Sequence, residues 1–294
     1  MTYSKLLDIW LEEKSLEVRS STKWNYKCTI ESKLKPAFGN YEIQKITKAM
    51  IQNYILDISE HFKRESVINI TKVLSQSFKF AVREKFIAEN PYVQIKIPKD
   101  HDVKEIKIFT KDEMDAILNV QGFNPQYKNI ISIAYRTGMR IGEILALKWE
   151  DVNLAQGFLM VRRTVSYCVK SKKEICPPKT RASIRRIDLD NTSIEILLSA
   201  KKYGEFVFSK KDGTIFSRCC ISQGFQRICK AANVPYKSFH ALRHTHASIL
   251  LASNVHPKIV QERLGHSEIS TTIDTYSHLI PGMQKIAVDI FNDL

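Results

Sequence analysis

Residues 91–108 interrupt the helical periodicity of this chain, and the interruption sets its architecture. The segment opens Pro91-Tyr92-Val93-Gln94-Ile95-Lys96-Ile97-Pro98 and runs through charged residues to Ile108. Two prolines and the lack of a 3.6-residue repeat make it an extended connector between two folded parts, with an edge strand as the other reading. A chain of 294 residues is long enough for both parts.

Before the connector, apolar residues recur at helical spacing. Leu6, Leu7, Ile9, Trp10 and Leu11 give a first helix its apolar face. The Ser20-Ser21-Thr22 cluster caps a second helix, which Pro36 and Gly39 close. Ile46-Thr47 caps a third, and 65–85 forms a fourth around Ile68, Ile70, Val73, Leu74, Phe78 and Phe80. The expectation for 1–90 is an all-helical bundle that stops at Asn90-Pro91.

After the connector, Thr110-Lys111-Asp112-Glu113 is a capping box. Buried helices follow over 127–135 and 141–147, joined at Thr137-Gly138. From Gly157 the period changes, and 158–161, 174–176 and 184–189 read as strands of one small antiparallel sheet. Helices return at 193–200, 219–231, 240–251, 257–264 and 270–276. A last amphipathic segment carries Met283, Ile286, Ala287, Ile290 and Phe291. The predicted class is mainly α with a small antiparallel β-sheet, divided as 1–90, 91–108 and 109–294.

Charge narrows the function. Lys and Arg number 45 against 31 Asp and Glu, for a net +14 and a pI near 9.4. Residues 1–100 hold 17 basic and 12 acidic side chains, and the remainder 28 and 19. A basic excess in both parts suits a protein that wraps a polyanion. Of the six cysteines, Cys28, Cys168, Cys176, Cys219, Cys220 and Cys229, none forms a C-x-x-C pair, which argues against a zinc ribbon or a redox motif. The opening residues lack the pattern of a secretory signal, and no apolar run reaches spanning length, so a reduced cytoplasmic setting with no membrane partner is expected.

The reactive residues fall in four places. Arg140 lies in Thr137-Gly138-Met139-Arg140-Ile141-Gly142-Glu143. His240 and Arg243 are three apart, so on a helix they share a face. Leu264-Gly265-His266 follows, and Tyr276 stands ten residues after His266. Guanidiniums fork onto non-bridging phosphate oxygens, imidazoles move protons near neutral pH, and a phenol supplies a nucleophilic oxygen. Together they form a kit for attacking a phosphodiester. Glu143, one turn beyond Arg140, is placed to hold that arginine or a nearby histidine. Lys179 sits at the tip of a turn over 177–187 between two strands, with Lys170, Lys172 and Lys173 as competitors. His240, His244, His246 and His266 cluster in sequence, but no H-E-x-x-H spacing or interleaved carboxylate accompanies them, so no metal is expected. His244 and His246 are left without a role, and a place in the core is a fair reading for both.

These boxes resemble the active site of the tyrosine recombinases, the phage and conjugative-transposon integrases. The carriers are Tyr135-Arg136-Thr137-Gly138-Met139-Arg140-Ile141-Gly142-Glu143-Ile144 with Leu147-Lys148-Trp149-Glu150-Asp151-Val152, then His240-Ala241-Leu242-Arg243, Leu264-Gly265-His266 and Asp274-Thr275-Tyr276. The resemblance implies a helical core-binding domain followed by a mixed α/β catalytic domain, closing as a clamp on double-stranded DNA. It implies that Arg140, Arg243 and His266 bind the scissile phosphate and that Tyr276 attacks it. His240 takes the phenolic proton, and Lys179 protonates the departing 5′ oxygen. No cofactor is implied. A homotetramer on two duplexes is implied, with an excisionase or a host DNA-bending protein as accessory. Lys23, Lys27, Arg64, Lys72, Arg181 and Lys237 are candidate DNA contacts. The segment after Tyr276 packs on a neighbouring protomer or back on its own. Integration and excision of a mobile element is the function implied. Xer-type dimer resolution and type IB topoisomerase-like relaxation share the chemistry and stand as alternatives, and a catalytically silent DNA-binding regulator is a third. The sequence opens at the core-binding pattern, which suits either a short recombinase of the Xer or simple-integrase kind or an integrase whose arm-binding domain stands ahead of this stretch. The expected workplace is the nucleoid.

Overall fold

The computed structural model describes residues 1–99, 107–167, 173–178 and 180–270. The chain divides into two compact units, Met1–Lys104 with Tyr167–Lys173, and Glu105–Ser166 with Glu174–Leu294.

The first unit is helical. Helix α1 (Tyr3–Glu17) is capped by Thr2, and α4 (Lys48–His61) by Thr47, whose hydroxyl accepts from the Met50 N–H. Between them, α2 (Ser20–Thr29) runs through a π-turn (Ile30–Leu34) into α3 (Lys35–Phe38). Two expectations are corrected here. The cap position of α2 is Arg19, so Ser20-Ser21-Thr22 forms the first turn itself. Pro36 does not close the helix: it follows the π-turn within helical backbone that runs on to Phe38, and Gly39 alone is the C-cap. Helix α5 (Arg64–Arg83) buries Val67, Ile70, Val73, Leu74, Phe78 and Ala81. Tyr3 stacks on Phe78 with ring centroids 5.0 Å apart, and its hydroxyl lies 2.6 Å from the buried Ser77 hydroxyl.

Residues 91–99 form neither helix nor strand, and they lie along this bundle. The Gln52 amide grips Lys96 twice: Nε2 donates to the Lys96 carbonyl (2.8 Å), and the Lys96 N–H donates to Oε1 (2.9 Å). Arg64 Nε donates to the Pro98 carbonyl, while Tyr92, Ile95 and Ile97 pack against the core. A side-chain amide thus supplies the pairing that a neighbouring strand would give.

In the second unit, the Thr110–Glu113 capping box opens α6 (Lys111–Asn119), with both reciprocal bonds present. Helix α7 (Pro125–Thr137) ends at Gly138, whose φ of 68° lies in the left-handed region, and α8 (Ile141–Leu145) follows. Strands β1 (Val152–Asn153), β2 (Phe158–Val161) and β5 (Arg185–Asp188) form an antiparallel sheet in the order β1-β2-β5, with Leu159 opposite both Val152 and Ile187. Strands β3 (Thr164–Tyr167) and β4 (Lys173–Cys176) form a separate pair. The described residues therefore hold two small sheets rather than one. Because β4 and β5 belong to different sheets, the chain between them crosses from one to the other and does not close a hairpin. Helices α9 (Asn191–Ser199), α10 (Arg218–Ala231), α11 (His240–Ala252) and α12 (Pro257–Leu264) complete the unit, with α11 packed on α7 and on α12. The expected 270–276 helix beyond Ser270 and the final amphipathic segment lie outside the described residues.

Replacing Gln52 by Ala removes both bonds to Lys96, at about 1 kcal/mol each. Trypsin is expected to cut after Lys96 or Lys99 several-fold faster in Gln52→Ala while the bundle keeps its helical circular dichroism. Unchanged cleavage would mean that apolar packing alone holds the segment.

Candidate active site

Arg243 lies in the first turn of α11 and is 2% exposed. Its Nη1 donates to the Gly138 carbonyl (2.9 Å) and its Nη2 to the Leu264 carbonyl (2.8 Å). These carbonyls stand where α7 and α12 end, at positions that have no helical donor and carry the negative end of the helix dipole. A buried guanidinium is stable there because carbonyl oxygens replace its lost water. One side chain thereby brings Gly138-Met139-Arg140 next to Leu264-Gly265-His266.

Arg140 is the cap residue of α8. Its N–H donates to Glu143 Oε2 (2.9 Å), and its Nη1 donates to Glu143 Oε1 (2.9 Å). Glu143 thus holds Arg140 by main chain and side chain together, as its position one turn on suggested. Gly142 lets this turn rest against β3: a Cβ there would stand 2.6 Å from Thr164 Oγ1. Glu143 has a second partner that the sequence reading missed. Arg185 on β5 donates from Nη2 to Oε2 (2.9 Å) and from Nη1 to Oε1 (3.2 Å). Burial alone would raise the Glu143 pKa, but Arg185 and Arg140 outweigh it and hold the carboxyl below its usual range. The buried-exposed alternation along β5, which sets Arg185 on the face of Ile187, was the available signal.

A cleft of about 420 Å³ opens above these groups, lined by Arg140, Glu143, Thr164, Ser183, Gly265 and His266 among others. Gly265, with φ 69°, ends α12 and turns the chain so that His266 enters the cleft. Burial and the positive charges of Arg243 and Arg140 push the His266 pKa down to about 3. His240 is the first residue of α11, and its ring meets His244 edge-on at 4.7 Å. Desolvation, His244, Arg243 and Arg140 bring its pKa to about 4. Both imidazoles are therefore neutral at pH 7, each with one nitrogen free of a proton.

His246, left unassigned from the sequence, is buried in the core. Its Nδ1 sits 2.9 Å from the Tyr135 carbonyl and its Nε2 accepts from Arg263 Nε (3.1 Å), which fixes Nδ1 as the protonated nitrogen. Arg263 also donates to the Asp188 and Arg136 carbonyls. Among the described residues no cluster of His, Cys, Asp and Glu gathers as metal ligands would, and no helix is long and apolar enough to cross a membrane.

Arg140, Glu143 and His266 thus line one cleft, with Arg243 fixed beside it and His240 within reach of the same charges. Lys179 and Tyr276 lie outside the described residues. Lys23, Lys27, Arg64 and Lys72 are exposed on the first unit. Arg181 stands in a 3-10 turn (Arg181–Ser183) between β4 and β5. Lys237 is engaged internally, paired with Glu113 at 2.6 Å and set 4.5 Å from the Phe109 ring centroid.

Comparison with known proteins covers both units. The phage integrase family profile matches residues 107–282, and the phage integrase N-terminal SAM-like domain matches 2–59. The ICEBs1 integrase of Bacillus subtilis is 27% identical across 100% of this chain and 83% of its own length. A XerC-like tyrosine recombinase of Caldanaerobacter subterraneus is 30% identical with the same coverages. A Staphylococcus aureus XerD recombinase is 31% identical over 81% of this chain and 80% of its own. Among solved structures, the Tn1549 transposon integrase in complex with a circular intermediate DNA superposes with a TM-score of 0.85 at 20% identity over all of both chains. The lambda integrase dimer on a core site superposes at 0.73 and 22%, covering 92% of this chain and 97% of that one.

The histidines give a pH signature. In the free protein, proton NMR titration is expected to place the midpoints of His246 and His240 near 4 and that of His266 near 3. For buried His246 the folded pKa lies below the unfolded value of 6.5, so its contribution is full above that pH. It is lost as pH falls from 6.5 to about 4, by at most about 3 kcal/mol. A His246 midpoint near 6.5 would contradict its bonded burial.

Proposed function

The chain belongs to the phage integrase family, the tyrosine recombinases, and is an enzyme of site-specific DNA recombination in mobile elements; on that premise we propose that Tyr276 is its nucleophile and that Arg140, Arg243 and His266 hold the scissile phosphate. The Tyr276 phenol oxygen attacks phosphorus in line. The new O–P bond forms as the bond to the 5′ oxygen breaks, leaving the DNA 3′ phosphate esterified to the ring. His240 accepts the phenolic proton. Lys179 gives a proton to the 5′ oxygen. A 5′ hydroxyl from a second duplex reverses the step on a new strand. The phosphotyrosyl bond conserves the energy of the broken one, so the reaction calls for no ATP.

The observation that carries this reading is the cleft itself: two arginines held at fixed helix ends beside two neutral imidazoles. A phosphodiester transition state spreads negative charge over its equatorial oxygens, and pre-set cations stabilise it without rearrangement. Neutral His240 is ready to take a proton, and neutral His266 retains one N–H for a phosphoryl oxygen. Glu143 supports Arg140.

Residues 1–90 serve in this proposal as the core-type DNA-binding domain, 91–108 as linker and 109–294 as the catalytic domain with its tail helix. Double-stranded DNA at attachment or core sites is the partner, with phosphates met by Lys23, Lys27, Arg64, Lys72 and Arg181. The net charge of +14 supports this and makes binding steeply salt-dependent. Lys237, spent on Glu113, is the weakest of the proposed contacts. The working assembly is a homotetramer on two duplexes at the bacterial nucleoid, in the cytoplasm, with an excisionase or host DNA-bending protein setting direction. The XerC-like and XerD matches favour dimer resolution as a second reading. Recombination of plasmids bearing the element's own ends supports the first. Recombination confined to identical host sites supports the second.

The proton roles are separable by substrate chemistry. Lys179→Ala is expected to slow strand cleavage by about 10²–10⁴. A 5′-bridging phosphorothiolate, whose sulfur leaves without a proton, should restore most of that rate. Tyr276→Phe should stay inactive on both substrates. A Lys179→Ala defect that persists with the sulfur substrate would remove Lys179 from the acid role.

A further inference from the structure

Arg185 takes no part in the chemistry above, yet it is bonded to Glu143, to the segment that leads to His266 and to the segment that follows Lys179. Its side chain is 5% exposed. Nε donates to the Arg263 carbonyl (2.7 Å), three residues before His266, and Nη1 to the Ser183 carbonyl (3.2 Å), four residues after Lys179. The remaining bonds go to Glu143, where the two arginines divide the carboxylate between them. Oε1 accepts from Arg140 Nη1 (2.9 Å) and Arg185 Nη1 (3.2 Å), and Oε2 from the Arg140 N–H (2.9 Å) and Arg185 Nη2 (2.9 Å). Gly265 leaves room for this arrangement. A Cβ there would stand 3.0 Å from Arg185 Cδ and 3.1 Å from its Nη1.

The charge count decides what the arrangement does. Glu143 is 3% exposed, whereas Arg140 is 38% exposed and lines the cleft. With Arg140 alone, Glu143 would form a neutral pair, and a phosphate entering the cleft would meet little net charge from it. A second guanidinium buried behind the carboxylate leaves the trio with one positive charge, and the exposed member is Arg140. Low dielectric strengthens this effect at the buried end.

We infer that Arg185 is a positioning residue that neutralises Glu143, so that Arg140 keeps its charge for the scissile phosphate; the assignment rests on the recombinase reading of the cleft. Arg185 acts through Glu143 and does not meet the DNA. Its bonds to the Arg263 and Ser183 carbonyls further hold the end of α12 and the segment after Lys179 in register with Arg140.

The test compares Arg185→Gln, Arg185→Lys, and Arg185→Gln combined with Glu143→Gln, each checked for thermal melting and DNA affinity. Strand cleavage is measured on one DNA substrate. Wild-type cleavage on that DNA tests the recombinase reading separately, because its absence would strike that reading and not this one. The expected pattern is a loss of tenfold to a hundredfold in the cleavage rate of Arg185→Gln with DNA affinity changed less than threefold. Arg185→Lys, which keeps the charge, should lose less. The double variant, which removes both charges, should regain at least tenfold over Arg185→Gln. Equal losses in the Gln and Lys variants, or a double variant no faster than Arg185→Gln, overturn the proposal, because a purely structural role yields no rescue. Should Arg185→Gln not fold, the double variant is read alone against Arg140→Ala. Cleavage within tenfold of wild type then supports the proposal, and a loss as deep as that of Arg140→Ala overturns it.

Discussion

The buried guanidinium of Arg243, bonded to the carbonyls where α7 and α12 end, is the constraint on which the site depends. It brings together two turns that are far apart in sequence, each made by a left-handed glycine. Gly138 follows α7 and leads to Arg140, and Gly265 follows α12 and leads to His266. The glycines are there for packing as well as for backbone angle. A Cβ on Gly138 would stand 2.7 Å from both His246 and Leu264, so the two turns meet only without one. Removing Arg243 would leave two buried carbonyls without these donors, at about 1–3 kcal/mol each. In the proposed reaction the same side chain is both a structural bond and a charge on the phosphate, so losses from its replacement combine both.

Electrostatics divide labour among the remaining groups. Arginines stay charged at any working pH, whereas the histidines among them are held neutral by burial and by those same charges. A site of this kind binds an anion through its guanidiniums and keeps its imidazoles for moving protons. Glu143 would undo the arrangement if it faced Arg140 alone, and the second guanidinium on β5 prevents that.

Much of this was legible in the sequence. Helical periodicity gave α1, α4, α5, α7 and α11 because each buries a broad apolar face, and the Thr110 and Thr47 caps were readable from residue type. The boxes around Arg140, Arg243 and His266 were legible because reaction chemistry restricts which side chains serve. What escaped was set by tertiary context. Strand β1 is two residues long, too short for any period to show. Pro36 reads as a helix end from its ring alone, yet it sits directly after a π-turn, in helical backbone that runs on to Phe38. The crossing between β4 and β5 depends on which strands they pair with, and no local pattern encodes that. Alternation along β5 sets Arg185 on the face of Ile187, but its role escaped for a similar reason. An arginine in a short strand looks solvated until a carboxylate from a distant helix is known to face it.

In the proposed reaction one phenol oxygen becomes the temporary partner of a DNA 3′ end. Mass spectrometry of the protease-digested product from a nicked suicide substrate tests it most directly. A single peptide–oligonucleotide conjugate joined at Tyr276 through a 3′ phosphate is expected. A conjugate at any other residue, or completed strand exchange with no conjugate at all, would contradict it.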